Sequence, residues 1–232
     1  MGGSNGLGTW GYINAVDELM HQIGGGDGVT SSDSADSTSD FALDHVVFAT
    51  GSGGTATGIA VGLSLAFGSV GISHPAMVGK SAPKVHAVGV CDDPEYFYQT
   101  MSSIADEMGI ELPPSMTTDQ FIRETVTVYN GKGRGYALSS DDELAFILQF
   151  AIETGVSLDP VYSGKALYYF LEKIVKDNPD AYRNKNILFW HTGGSIGLYE
   201  KGDTLLERML VTSPVNRVEA TTISSSKSSS TT

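Results

Sequence analysis

Apolar residues along the chain fall into short continuous runs and longer periodic stretches that follow one another in turn. Asp44–Thr50 is a compact β-rich run that ends in the glycine cluster Gly51-Ser52-Gly53-Gly54-Thr55, and the small, apolar stretch Ala56–Phe67 behind it is helix-compatible. Lys84–Val90 is a second buried strand, followed by Cys91-Asp92-Asp93-Pro94, in which Asp93 predicts an N-cap for a helix over Glu95–Met108. Further helices are predicted over Leu7–Ile23, Asp141–Thr154 and Gly164–Val175, and a last strand, Asn186–Trp190, runs into His191-Thr192-Gly193-Gly194-Ser195. Strands alternating with helices predict an α/β fold with a mostly parallel sheet. Ligands of such sheets gather at the carboxyl ends of strands, where both glycine loops lie.

Two stretches break the pattern. Gly24–Asp40 is a Gly/Ser/Asp segment with too little apolar surface to offset the entropy of ordering it, so it is expected to be a disordered insertion without chemistry. Ser224–Thr232 closes a polar low-complexity tail. The expected organisation is therefore 1–23 as the start of a domain, 24–40 as the insertion, 41–211 as the main α/β domain and 212–232 as the tail. Gly2-Gly3-Ser4-Asn5-Gly6 resembles a turn that normally follows a strand, so the sequence is expected to begin within a fold.

Composition narrows the classes of partner. The 232 residues are 41% hydrophobic and carry a net charge of -13, which repels nucleic acid and anionic membrane surfaces. Cys91 is the only cysteine, which excludes an intrachain disulfide and a multi-thiolate metal site. No metal ligand set is assigned. No apolar run reaches the roughly 18 residues of a membrane span, and no signal segment opens the chain, so a soluble, cytoplasmic protein is expected, with an organelle left open.

The densest chemical signal is Thr50–Gly58, TGSGGTATG, between a strand and a helix. Glycines let backbone N–H groups approach an anion at the positive end of a helix, and the hydroxyls of Ser52 and Thr55 add donors. Gly51–Ala56 also satisfies the loose dinucleotide pattern, but the acidic residue expected about 20 positions on is missing, since that count reaches Gly71. Asp159–Ala166, DPVYSGKA, leads into a helix, and His191–Ser195 is a second glycine turn at a strand end.

Four segments in order, GGSNGLGTWGY (Gly2–Tyr12), FATGSGGTATG (Phe48–Gly58), DPVYSGKA and ILFWHTGG (Ile187–Gly194), resemble the pyridoxal-phosphate enzymes that include D-cysteine desulfhydrases and aminocyclopropane-carboxylate deaminases. The resemblance implies a three-layer fold of the tryptophan synthase β type, with helices on both faces of a twisted sheet. It implies pyridoxal 5'-phosphate as cofactor, a small amino acid as substrate and a homodimer. Gly51, Ser52, Gly53, Gly54 and Thr55 would hold the cofactor phosphate, while Tyr162 and Tyr136 match tyrosines that face the substrate. Ser163 and Thr192 are both candidates to address the pyridine nitrogen. In the deaminase branch the residue after the first of these tyrosines is typically a glutamate, so Ser163 favours the desulfhydrase reaction, D-cysteine to pyruvate, hydrogen sulfide and ammonia. The alternatives are the deaminase or a non-catalytic remnant of the fold. Family members carry the Schiff-base lysine in an S-G-N-K-type segment ahead of the GGSN motif. No lysine here stands in that context, so the chain is expected to be an inactive fragment. Lys165 matches a different, helix-borne lysine.

Overall fold

The protein is described by a computed structural model over residues 4–24, 42–68 and 74–212. The expectations for the 24–40 insertion and the 212–232 tail lie outside these residues, apart from Gly24, which caps a helix, and Thr212, which ends one.

Four strands, β1 (His45–Thr50), β2 (Lys84–Gly89), β3 (Val126–Asn130) and β4 (Ile187–Phe189), form one parallel sheet in the order β3-β2-β1-β4. The central strand β1 sets His45 opposite Lys84 on one side and Ile187 on the other. All its residues are buried, as a strand covered on both faces requires. Side-chain alternation divides it between two cores. Val46 and Phe48 join Val85, Ala87, Val126 and Val128 in the core built with helices α1 (Gly6–Ile23), α2 (Gly54–Ala66), α3 (Pro94–Met108) and α4 (Thr118–Thr125). Val47 and Ala49 point the other way, with Val88 and Val90, against Ala166 and Phe170. Those two residues belong to α6 (Ser163–Tyr169) and its π-helical continuation Phe170–Val175, which follow α5 (Asp141–Thr154). Two short helices, α7 (Pro179–Tyr182) and α8 (Gly202–Thr212), flank β4 in sequence. The result is the three-layer, parallel α/β fold expected from the sequence.

Local chemistry sets the boundaries. Asp93 caps α3 by accepting the Tyr96 N–H, Pro94 takes the first helical position, and Gly109 ends the helix in the left-handed region. Reciprocal capping boxes open α4 (Thr117 with Gln120) and α5 (Ser140 with Glu143). α2 is apolar all round and buried over most of its length. α1 crosses it closely because Gly58 and Gly62 carry no Cβ; one at Gly58 would sit 2.5 Å from the Tyr12 Cβ.

The apolar pattern did not predict α4 or β3. β3 is an edge strand in which burial alternates, so Thr127 and Asn130 are exposed and the run is short. The helix expected over Gly164–Val175 is present but changes from α to π geometry at Phe170.

Candidate functional site at the carboxyl edge of the sheet

β1 ends at Thr50 and the chain turns through Gly51-Ser52-Gly53 into α2. Gly53 caps that helix at φ 84°, in the left-handed region where a side chain is strained, and a Cβ there would also meet Thr100 Cγ2 at 3.2 Å. No side chain caps α2. Its first-turn N–H groups are thus left at the positive end of the helix without a side-chain acceptor. The buried Thr50 hydroxyl beside them has no hydrogen-bond partner among the described residues. Ser4, at the start of α1, hydrogen-bonds Ser52, and Asn5 next to it caps α1 through the Gly8 N–H. An uncapped helix start, a position suited to glycine and a buried hydroxyl together fit a phosphate group.

Across this loop lies Tyr162, whose Cε1 would stand 2.7 Å from any Cβ placed on Gly51. The turn beneath it is built on Asp159. This buried carboxylate accepts the N–H groups of Val161, Tyr162 and Ser163 at 2.7–2.8 Å and the Ser163 hydroxyl at 2.6 Å. Ser163 Oγ in turn accepts the Asp159 N–H at 3.0 Å. Ser163 is therefore buried with its one proton committed to Asp159. A glutamate in its place would have to leave that turn, because a second carboxylate cannot replace a donor against Asp159.

The hydroxyls of Tyr162 and Tyr136 are 2.8 Å apart, with the rings edge to face at 6.1 Å. The hydrogen bond shared with Tyr136, with burial second, pushes the Tyr162 phenol up to about 12, so it keeps its proton at neutral pH. Cys91, at the end of β2, donates its thiol to the Gly51 carbonyl at 3.1 Å, and burial pushes that thiol up as well.

Thr192 is exposed on the turn that follows β4. Its neighbour His191 accepts the Gly193 N–H at Nδ1, so Nε2 carries the proton and donates to the Ser157 carbonyl at 2.9 Å. Gly193 and Gly194 both have positive φ, and a Cβ on Gly194 would lie 2.9 Å from the Asp159 Cγ. The Thr192 turn thus packs directly on the Asp159 turn.

Lys165 is fully buried one turn into α6. Its ammonium group donates to the carbonyls of Lys132, Gly135 and Leu138, each at 2.9 Å. Burial pulls its pKa down, and the nearby Glu143 opposes that shift. With its donors spent in this way, it is not offered to a carbonyl compound.

The fold therefore gathers Gly51–Thr55, Tyr162 and Tyr136 around one strand end and brings the Thr192 turn against the same Asp159 turn. Sequence reasoning gave no role to Asp159 or Ser4 and none to the contacts of Lys165. Asp159, three residues before Tyr162 and ahead of a helix, carried a readable capping signal; the partners of Lys165 did not.

The sequence profile of a family described as pyridoxal-phosphate dependent enzymes matches residues 2–193. Over 209 residues the chain is 39% identical to an Arabidopsis thaliana protein named bifunctional D-cysteine desulfhydrase/1-aminocyclopropane-1-carboxylate deaminase, mitochondrial, covering 90% of this chain and 44% of that one. It is 30% identical to a D-cysteine desulfhydrase of Serratia proteamaculans, covering 86% and 50%, and 30% identical to a putative 1-aminocyclopropane-1-carboxylate deaminase of Thermotoga maritima, covering 88% and 54%. The chain spans about half the length of the curated relatives it matches. A crystal structure described as an ACC deaminase homologue superposes with a TM-score of 0.59 at 24% identity, over 89% of this chain and 51% of that one, and so shares its fold. Among the described residues no helix is long and apolar enough to cross a membrane.

Proposed function

The chain belongs to the pyridoxal-phosphate-dependent enzyme family, and on that premise we propose that it serves a lyase acting on D-cysteine. The reaction is α,β-elimination: D-cysteine and water give pyruvate, hydrogen sulfide and ammonia. Pyridoxal phosphate, when bound, supplies a delocalised sink for the electron pair left at Cα once that carbon loses its proton.

The residues of this chain have separate tasks in the proposal. Gly51, Ser52, Gly53, Gly54 and Thr55 bind the phosphate through backbone N–H groups and hydroxyls. Thr192, exposed on its turn, takes the pyridine nitrogen, whereas Ser163 holds the Asp159 turn and so orients Tyr162. The single observation that carries the reading is the tyrosine pair above the glycine loop. Two phenols that share one hydrogen bond retain one O–H proton for a ligand. Because Tyr162 is held near 12, the pair stays protonated at neutral pH and can offer an O–H as a hydrogen-bond donor to the sulfur as it leaves Cβ. A hydrogen bond from that O–H stabilises the negative charge that develops on the departing sulfur. The serine at 163 also fits this substrate, because no carboxylate stands there to keep the pyridine nitrogen protonated, as ring opening of a cyclopropane would demand.

The test is made on protein expressed from its complete gene. D-Cysteine should release sulfide with a kcat/KM at least about tenfold above that for ammonia release from aminocyclopropane-carboxylate, and Tyr162→Phe should lower the former by about 100-fold. A protein that prefers the cyclopropane substrate would overturn the assignment.

A further inference from the structure

We infer that Lys165 is a positioning residue: its buried ammonium group is the internal cation of the carbonyl-lined loop Lys132–Leu138, and through that loop it holds Tyr136 against Tyr162. The geometry is a tripod. An ammonium ion has three N–H donors, and each meets one carbonyl at 2.9 Å, from Lys132, Gly135 and Leu138. The loop is shaped to bring those oxygens together, since Gly133, Gly135 and Ala137 all adopt positive φ, at 56°, 130° and 58°. Ala137 accepts a conformation that ordinarily favours glycine, so the surrounding contacts must hold it there. Glu143 supplies the balancing charge. It is buried, accepts the Ser140 N–H at 2.6 Å, and its Oε1 would lie 3.0 Å from a Cβ on Gly133.

Nothing about Tyr136 itself explains its position. It is 54% exposed, and among the described residues its one ring contact is with Tyr162. The loop is tied to the Asp159 turn at one further point, where Ser139 donates to the Pro160 carbonyl at 3.0 Å. Tyr162 and Lys165 are one helical turn apart at the start of the same helix. That single element therefore carries one phenol of the pair and the anchor of the loop that bears the other.

The inference rests on the tyrosine pair being the substrate-facing group, and its test is made without substrate or cofactor so that the two can fail separately. With carbon-13-labelled tyrosine at pH 7, the ring-to-ring nuclear Overhauser contact of Tyr136 and Tyr162 is followed, assigned from Tyr136→Phe and Tyr162→Phe. Lys165→Met should abolish it. Lys165→Ala should abolish it too, and ammonium chloride should restore it where equal sodium chloride does not, a rescue that a lysine serving stability alone would not show. A folded Lys165→Met protein that keeps the contact, or a Lys165→Ala protein indifferent to ammonium, overturns the inference. If both lysine variants fail to fold, Gly135→Ala decides: it strains the loop at φ 130° with Lys165 intact, and it should also lose the contact. An unchanged contact there overturns the proposal. Loss of turnover in Tyr136→Phe is a separate result and bears only on catalysis.

Discussion

The loop after β1, Gly51–Gly53, and the loop after β3, Lys132–Leu138, both lie at the carboxyl edge of the sheet, with the end of β2 between their strands, and turn opposite poles of the backbone toward their centres. The first leaves N–H groups at an uncapped helix start and suits an anion brought from outside. The second gathers three carbonyls and is closed by a cation from within the chain, the ammonium of Lys165. Both need left-handed backbone to do it, at Gly53 in one and at Gly133, Gly135 and Ala137 in the other. A nest of donors can wait for its ligand in contact with water, because solvent satisfies it meanwhile. A half-buried nest of acceptors closed around a fully buried ammonium depends on that ion, and an acceptor left unpaired away from water costs about 1–3 kcal/mol. The loop that recruits a ligand is thus built from residues beside one another in sequence, while the loop that must be complete on folding borrows its ion from a helix far along the chain.

The largest effect that separates the two loops is expected from Lys165→Met. Three carbonyls lose their donor and Glu143 its neighbouring cation, so unfolding free energy from urea titration should fall by about 3 kcal/mol or more. Phosphate binding at the other loop should survive wherever the variant remains folded.

Gly53→Ala reverses the pattern. A left-handed alanine and contact with Thr100 should cost about 1–2 kcal/mol, and affinity for pyridoxal phosphate, followed by calorimetry, should fall about tenfold or more while the Tyr136–Tyr162 contact persists. Reduction with borohydride in the presence of pyridoxal phosphate should leave Lys165 unlabelled in the folded protein, since its donors are occupied and its side chain is buried. Labelling of Lys165 would break the distinction between the loops.

The smallest effect is expected from Tyr136→Phe, which should change stability at neutral pH by less than about 0.5 kcal/mol, because the residue is half exposed. Its signature is in the alkaline range. The hydrogen bond shared with Tyr136 is the main reason Tyr162 lies near 12, with burial and the neighbouring Cys91 and Asp159 contributing, so its removal should move the Tyr162 midpoint down toward 10. A folded value above the unfolded one gives stability that is fully present below pH 10 and lost as pH rises toward 12. Wild type should therefore fall below the variant across that window, because only wild type has this stability to lose there. A Tyr162 midpoint that stays near 12 in the variant would show that burial sets it.

Most of the fold was legible from residues near one another. The alternation of β-rich runs with helical stretches, the Asp93-Pro94 helix start and the demand for glycine at position 53 are local matters of periodicity and φ, and they led to the parallel sheet, the glycine turn after β1 and the family. β3 escaped because an edge strand buries only alternate residues. Sequence also marked Tyr136, Tyr162, Ser163 and Thr192 as candidates but could not say which of them meet. Tertiary structure decided that. It joined Tyr136 to Tyr162 across 26 positions and Lys165 to Lys132 across 33, and it committed the Ser163 hydroxyl to Asp159 while leaving Thr192 exposed. A residue's propensity travels with its neighbours in the chain, whereas the partner of a buried hydroxyl or ammonium is set by which distant backbone groups the packed layers bring within about 3 Å, and no periodicity records it.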